Sequence, residues 1–403
     1  MEFDILDLHS QEDNKLRRSL IHVSGKNLIS KITEMINEIL DKQRYSRSKL
    51  YLKLALTLGR HKSTAKRNVL KLKRSSWVAL YYIKVLLAFW AKELKKTEHV
   101  VFEKKKELQI EYEFLKMGQY NAHVFKCPKE LTEDLIKIVG ACAADGHINR
   151  KSGIVLEEAD ESAVLTFSNW INNVFGVKYK VFKSPYKSWR IEVYSKIIVR
   201  YLTEFLGFPV GNKSRTIKMP HIIKEKSLRY RIAYAKGVMM FDGSVTLAKL
   251  VVLETTSKEL IMEINEIVNK TGITTKLVSY KKDYTWRILS TVSESWLKFF
   301  EEKTLKYNKL KLLLGDYDFG ILTNKEKCNI LCQIFSENNA SIINFCKVIS
   351  AIKELNDFTY IELSRKLKIA KNTLCSYLFL LKKYEIISIN RTYGKKQYFR
   401  LNI

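Results

Sequence analysis

Residues 26–42, KNLISKITEMINEILDK, carry apolar side chains three and four apart, which predicts an amphipathic helix. From Lys42 to Arg74 the pattern changes to twelve basic residues and no acidic one. Inside that block, LYLKLALTLGRHKSTAKRNVLKL predicts one helix through Leu58, a stop at Gly59, and a second helix capped by Ser63 or Thr64. Residues 76–95 read as a long, mostly buried helix. Residues 96–131 are charged and mixed, and are expected to form a connector.

The middle of the chain repeats itself. Gly140, Asp145 and Gly146 recur as Gly237, Asp242 and Gly243, each 97 residues later. The segments are IVGACAADGHI and YAKGVMMFDGSV. A WRI tripeptide stands 44 residues after each Asp, at Trp189 and Trp286. Asn212-Lys213 and Asn308-Lys309 close the two units, and Gly176 and Gly272 precede strand-like runs in both. Matched landmarks in order imply two related units of about 97 residues. Each reads helix, two strands, helix, two strands, helix. The first has helices at 132–144, 160–175 and 195–206, with strands near 147–158, 177–183 and 188–195. The second has helices at 229–241, 257–271 and 293–303, with strands at 244–247, 249–255, 274–281 and 285–291.

Toward the C-terminus, two helices, a short turn and a hairpin are expected. Leu374, Leu378 and Leu381 face a core, and the basic hairpin tip RTYGKKQYF lies around Gly394. This segment resembles a winged helix-turn-helix. Lys371, Asn372, Thr373, Ser376 and Tyr377 lie on the open side or start of its second helix, and Arg391, Lys395 and Lys396 on the wing. Residues 42–74 also have the outline of a helix-turn-helix, with Lys62, Lys66 and Arg67 on its second helix. A solvated basic hairpin is the plainer alternative there, and a small protein-contact domain is the plainer one at the C-terminus.

The chain has 403 residues, too many for one ordinary core. Its net charge of +29 comes from 71 basic and 42 acidic side chains, which points to a polyanionic partner, nucleic acid before membrane. No apolar run is long enough to span a bilayer, and the acidic start MEFDILDLHSQED lacks a signal-peptide pattern. A cytoplasmic protein, nucleoid-associated when bound to DNA, is expected. The six cysteines form no CxxC pair and read as reduced thiols rather than a zinc site.

The paired Asp-Gly elements carry the chemistry. Small residues at Gly140, Ala141, Ala143, Ala144, Ala235 and Gly237 let two helices approach closely and bring Asp145 and Asp242 together at their ends. Carboxylates at helix C-termini repel one another and favour a hard cation between them. Such a pair suits metal-assisted phosphodiester hydrolysis.

These motifs resemble the two copies in a single-chain LAGLIDADG homing endonuclease, over roughly residues 132–315; GNKSRTIKMPHII (211–223) resembles the block between its halves. The resemblance implies an α+β fold of two pseudo-symmetric αββαββα halves, 132–223 and 224–315, forming a DNA-binding saddle. A helical, helix-turn-helix-like domain (1–95) and connector (96–131) would precede them. A connector (316–340) and winged helix (341–403) would follow. It further implies Asp145 and Asp242 as metal-binding catalytic acids, the carbonyls of Ala144 and Phe241 as further ligands to Mg²⁺ or Mn²⁺, and Lys213 as the active-site lysine. Lys309 is its counterpart in the second half, with Lys306 and Lys311 close enough to compete. His147 and Phe241 depart from the family's small residues at those positions.

The strands would supply DNA contacts: Lys178 and Lys180 on one, Arg190, Glu192 and Tyr194 on the next, and Lys276, Tyr280, Lys282 and Arg287 in the second half. The expected partner is double-stranded DNA with a long, asymmetric target, bound by a monomer without a membrane; RNA stays open. The competing functions are a non-cleaving DNA-binding regulator of the same architecture and an intron maturase.

Overall fold

In the computed structural model of the chain, the description covers residues 4–8, 21–57, 62–72, 76–117, 122–149, 153–186, 188–211, 214–280, 284–335, 339–355, 357–369, 371–393 and 396–402. Asn212, Lys213, Lys282 and Lys395 lie outside the described residues, as do the side chains of Arg67, Lys371, Asn372, Thr373 and Lys396.

The two central units fold alike. In the first, Thr132 caps α6 (Glu133–Ala143) through Leu135 N–H. Strands β5 (His147–Asn149) and β6 (Gly153–Glu158) follow. Then come α7 (Glu161–Phe175), β7 (Val181–Lys183) and β8 (Trp189–Val193). The second unit runs α10 (Leu228–Phe241), β9 (Gly243–Thr246), β10 (Leu250–Thr255), α11 (Lys258–Lys270), β11 (Lys276–Tyr280) and β12 (Thr285–Thr291). Both sheets are antiparallel and of one order: β5-β6-β8-β7 and β9-β10-β12-β11.

The ends of the units depart from expectation. The helix expected over 195–206 is α8 (Lys196–Arg200) running into a π-turn over Tyr201–Phe205. The one expected over 293–303 is a 3₁₀ segment, Glu294–Phe299. The closing helix is instead α12 (Leu305–Leu314), capped by Thr304 through Tyr307 N–H. Its LKYNKLKLLL sequence mixes lysine with leucine all round, which hides it from a search for an apolar stripe. A short helix, α9 (His221–Lys224), joins the units.

Helices α6 and α10 lie side by side and interlock through their glycines. A Cβ on Gly140 would overlap the Tyr234 carbonyl and sit 3.1 Å from the Gly237 Cα. One on Gly237 would overlap the Lys137 carbonyl and sit 3.0 Å from the Gly140 Cα. The contact is reciprocal, because Tyr234 and Gly237 stand 97 residues after Lys137 and Gly140. The glycines after the aspartates serve a similar end. A Cβ on Gly146 would overlap the Cys142 backbone, and one on Gly243 the Met239 carbonyl. Neither takes a left-handed φ. What requires glycine here is a strand turning back onto the last turn of its own helix.

On the first unit sits a region of β1 (Ile21–Ser24), α1 (Leu28–Lys42), α2 (Arg47–Thr57), α3 (Lys62–Leu72), β2 (Val78–Ala79) and α4 (Leu80–Glu93). The stretch expected to be a connector is structured as α5 (Glu98–Ile110), β3 (Phe114–Met117) and β4 (Val124–Lys126), which complete a β2-β1-β3-β4 sheet. Tyr201 Oη donates to the Pro128 carbonyl at 3.0 Å, tying this region to the π-turn.

The second unit is followed by α13 (Asn324–Ile334), inside the other expected connector, and by α14 (Asn339–Leu355). The chain ends in β13 (Asp357–Phe358), α15 (Tyr360–Leu367), α16 (Lys371–Lys383), β14 (Ile387–Tyr393) and β15 (Lys396–Leu401). Leu374, Leu378 and Leu381 are buried, as expected. The buried apolar side chains of all these regions form one connected core.

Replacing Gly237 by Val is expected to destabilise the protein by about 3 kcal/mol or more, as overpacking against rigid backbone does. Calorimetric unfolding checks this; an unchanged transition would contradict the interlock.

Candidate functional site

The interlock sets the site, because each helix ends on its aspartate. Asp145 is exposed and lies between Ala144, whose N–H donates to the Gly140 carbonyl, and Gly146, whose N–H donates to the Ala141 carbonyl. Asp242 is half-buried and ends α10, donating its N–H to the Val238 carbonyl. It borders a cleft of about 190 Å³ lined also by Glu158, Phe241, Ser244, Lys306 and Lys309. Asp145 lies near enough to Glu158 to act on it electrostatically. Glu158 thus shares a cleft with Asp242 and feels the charge of Asp145.

The bulk of Phe241 does not loosen the helix contact. Its ring turns into the first unit and meets Phe167 edge-on at 6.2 Å. Met239 and Met240 are fully buried.

Lys306, a weaker candidate by sequence than Lys309, occupies the centre. Its buried ammonium donates to the Met240 carbonyl at 2.7 Å and the Phe241 carbonyl at 2.8 Å, and pairs with Glu158 at 3.4 Å. These are the unsatisfied acceptors and negative dipole end of α10, where a cation is favoured. Lys309 is buried too, reaches the same cleft, and lies 5.6 Å from the Phe335 ring centroid. Both lysines are positioned by Asp160, a buried carboxylate that caps α7 through Ser162 N–H and accepts from Leu305 N–H at the start of α12. A residue of the first unit therefore anchors the helix that carries the second unit's lysines. Neither Glu158 nor Asp160 was singled out in the sequence. Only their place, Glu158 ending β6 and Asp160 as the N-cap of α7, could have drawn notice.

Burial raises the Glu158 carboxyl above its ordinary range; Lys306 opposes the shift and the Asp145 charge adds to it. Desolvation outweighs the pair because the Lys306 ammonium is shared with two carbonyls.

A divalent ion fits part of this donor set. The two aspartates are suitable hard ligands. The Phe241 carbonyl is not, because an ion bound there would lie about 4 Å from the Lys306 ammonium and be repelled by ~8 kcal/mol at an effective dielectric of about 20. Among the described residues, no three His, Cys, Asp or Glu side chains come together as a metal-holding group.

Arg190 and Glu192 alternate with buried Ile191 and Val193, so both face outward, and Tyr194 beyond them is exposed. Lys178 and Lys180 are exposed but precede β7 rather than lying in it. In the second unit Lys276, Tyr280 and Arg287 share a face, set by the pairings Lys276–Leu289, Val278–Arg287 and Tyr280–Thr285. The arginines are not free point charges. Arg190 pairs with Glu192 at 2.7 Å and Glu157 at 3.8 Å, and Arg287 pairs with Glu254 at 2.5 Å. Glu157–Arg190 and Glu254–Arg287 are the same cross-strand pair, 97 residues apart.

In the C-terminal region one expectation is overturned. Tyr377 is fully buried, its ring 4.9 Å from that of Phe345, because its position on α16 falls with Leu374, Leu378 and Leu381 on the core side. Ser376 is half-buried and lines a cleft of about 260 Å³ between α16 and the β9–β10 turn. Arg391 is exposed on β14, its guanidinium 4.6 Å from the Tyr398 ring centroid. Lys62 and Lys66 are exposed on α3, and Lys62 donates to Ser48 Oγ at 2.8 Å.

Residues 231–304 match the model of the LAGLIDADG-like domain family. Solved structures similar to this chain include a mesophilic variant of the homing endonuclease I-DmoI. It is 16% identical, with a TM-score of 0.32 over 41% of this chain and 92% of that one. A second is I-DmoI in complex with DNA and Mn, 15% identical, with a TM-score of 0.31 over 40% and 92%. A third is full-length DUF199/WhiA from Thermatoga maritima, 11% identical, with a TM-score of 0.31 over 64% and 94%. The glutamine–fructose-6-phosphate aminotransferase [isomerizing] of Methanocaldococcus jannaschii is 23% identical over 68% of this chain and 24% of that protein. The tRNA-splicing ligase RtcB of Pyrococcus furiosus is 25% identical over 48% and 23%. The chain spans about a quarter of the length of these curated relatives, and their activities are not carried over to it.

Lys306→Met is expected to lower stability by about 3 kcal/mol, since it strands a buried carboxylate, and adding Glu158→Gln should recover part of the loss. Because the folded-state pKa of Glu158 is raised, the native state holds more protons, so its contribution falls as pH rises through and above the ordinary Glu range. Urea unfolding of wild type and Glu158→Gln across that range checks the sign: the fall should be shallower in the variant.

Proposed function

We propose that the chain is a site-specific double-stranded DNA endonuclease of the homing type. In this reading the units 132–223 and 224–315 are pseudo-symmetric LAGLIDADG halves, and their outward sheet faces form one DNA-binding saddle. The reciprocal glycine contact, which places Asp145 and Asp242 at neighbouring helix ends, carries the proposal. The LAGLIDADG-like match over 231–304 supports it for the second half.

A divalent cation, Mg²⁺ or Mn²⁺, would supply Lewis acidity toward a scissile phosphate. Asp145, the Ala144 carbonyl and Asp242 are the groups to hold it. Lys309, and Lys213 in the first half, would offset charge on the phosphate in the transition state. Arg190, Arg287, Lys276 and the lysines before β7 would meet DNA, where the glutamates paired to the arginines hold their guanidinium planes for base edges. The region 341–403, read as a winged helix, and the helix pair α2–α3 would lengthen the footprint. The expected complex is one chain on a long, asymmetric site, in keeping with the net charge of +29. Among the described residues, no helix is long and apolar enough to cross a membrane.

A second reading is a DNA-binding regulator that does not cut. The lysine on the Phe241 carbonyl favours it, because that lysine takes up an acceptor a fully equipped nuclease site would use.

Cleavage selection on a randomised DNA library with Mg²⁺ separates the two: specific double-strand breaks support the nuclease, and enrichment by binding alone supports the regulator. Asp145→Asn and Asp242→Asn should each slow cleavage on the order of a thousandfold, with DNA affinity retained in a gel-shift titration. Affinity for duplex DNA should fall about a thousandfold between 50 and 200 mM salt, as expected for six or more phosphate contacts.

A further inference from the structure

The two sheets carry the same cross-strand pair, Glu157–Arg190 and Glu254–Arg287, yet they hold the arginine differently. Glu254 accepts from Arg287 Nε at 2.5 Å, the donor that an end-on guanidinium fork does not use. Tyr280 lies against that guanidinium, its ring centroid 4.5 Å from Cζ, and its hydroxyl is a neutral partner of the same group. A base edge can replace a neutral hydroxyl without stranding a charge. In the first half the carboxylates sit on the terminal nitrogens instead. Arg190 Nη2 pairs with Glu192 at 2.7 Å and Nη1 with Glu157 at 3.8 Å, while Nε is shut off from solvent. Glu192 is also braced by Tyr194 Oη, which donates to it at 2.5 Å. Glu192 stands opposite Val155; the matching position in the second half, opposite Val252, is Leu289.

We infer that Arg287 selects guanine in the second half-site and that Glu192 denies Arg190 the same choice at the matching position of the first. Glu192 is then a specificity-determining residue, and it makes the two half-sites unequal. The inference rests on the outward sheet faces of both units meeting duplex DNA, and not on cleavage. Guanine offers two acceptors, O6 and N7, to a fork of two donors. At Arg190 the same edge would meet a carboxylate, acceptor against acceptor, which is a repulsive element and not merely a missing contact. An edge with an exocyclic amine suits the Arg190–Glu192 pair better, because the amine can donate to Glu192.

The test is selection by binding from a randomised duplex library, on the full-length chain with Ca²⁺ in place of Mg²⁺. Wild type should enrich a guanine that Arg287→Ala no longer selects, with affinity for the selected duplex falling about tenfold in that variant. Glu192→Leu, which copies the second half, should enrich a further guanine, and so should Glu192→Ala; Glu192→Leu/Arg190→Ala should not. An enriched site that Arg287→Ala leaves unchanged, a guanine that wild type already owes to Arg190, or no further guanine in either Glu192 variant would overturn the inference while leaving sequence-specific DNA binding in place. No enriched sequence at all would sink the DNA-binding reading, and the inference with it. Cleavage of the selected duplex after exchange into Mg²⁺ decides the nuclease reading separately.

Discussion

Everything in the central part of this molecule depends on two helices touching backbone to backbone. Gly140 and Gly237 leave no room for even a methyl group between α6 and α10, so the helices cannot slide or rotate without collision. Close backbone approach of this kind fixes geometry more tightly than side-chain packing does, since carbonyls and Cα atoms have no rotamers to yield. The aspartates that end the helices are brought to one end of the helix pair by that contact. Gly146 and Gly243 extend the constraint by turning each following strand onto the helix just ended. Sheet, helix and carboxylate in each unit are therefore one rigid piece.

Onto this symmetric frame the chain adds an asymmetric charge arrangement. Glu158, Asp160 and Lys306 have no counterparts at the repeat spacing, except that Ser257 takes the capping role of Asp160 in the second unit. The serine cap binds helix ends without charge, whereas Asp160 serves two helices at once. That second bond is what commits α12 to its place beside α10. The buried pair Glu158–Lys306 is not a stability device by itself, since desolvation of two charges offsets much of their attraction. Its worth lies in the carbonyls that share the ammonium and in the register it imposes between the halves.

The repeat was legible because its landmarks are glycines, aspartates and tryptophans, residue types that tolerate little substitution where backbone approach or a sheet pairing demands them. The strands were legible for the same reason: Arg190 and Arg287 fall on the outward face by simple alternation. What stayed hidden has physical causes. Helix α12 lacks a one-sided apolar stripe because both of its sides are covered, by β9 and the 3₁₀ segment Glu294–Phe299 and by α13. Residues 98–126 are charged along α5 and β3–β4 because only one face of each is buried, so they read as a connector. Tyr377 was placed on an open face because tyrosine is compatible with DNA contact; its place beside Leu374, Leu378 and Leu381 on α16 decides otherwise. Lys306 could not be preferred over Lys309, because the choice depends on which side chain meets the end of α10.

The C-terminal region bears on the site through the same helix. Tyr384 Oη donates to the Leu312 carbonyl and Lys383 Nζ to the Leu314 carbonyl, each at 2.9 Å, so the C-terminal end of α16 caps the C-terminal end of α12. Lys249 in the β9–β10 turn stands 3.9 Å over the Phe379 ring on α16, closing the contact from the sheet side. One end of α12 is thus tied to Asp160 and the other to α16, with Lys306 and Lys309 between them. A displacement of the C-terminal region must either break these carbonyl bonds or carry α12 with it. Because the ammonium of Lys306 is fixed to α10 by two short hydrogen bonds, the second course would draw it out of the carbonyls of Met240 and Phe241. The charge at the second aspartate is therefore mechanically linked to the seating of a region far along the chain.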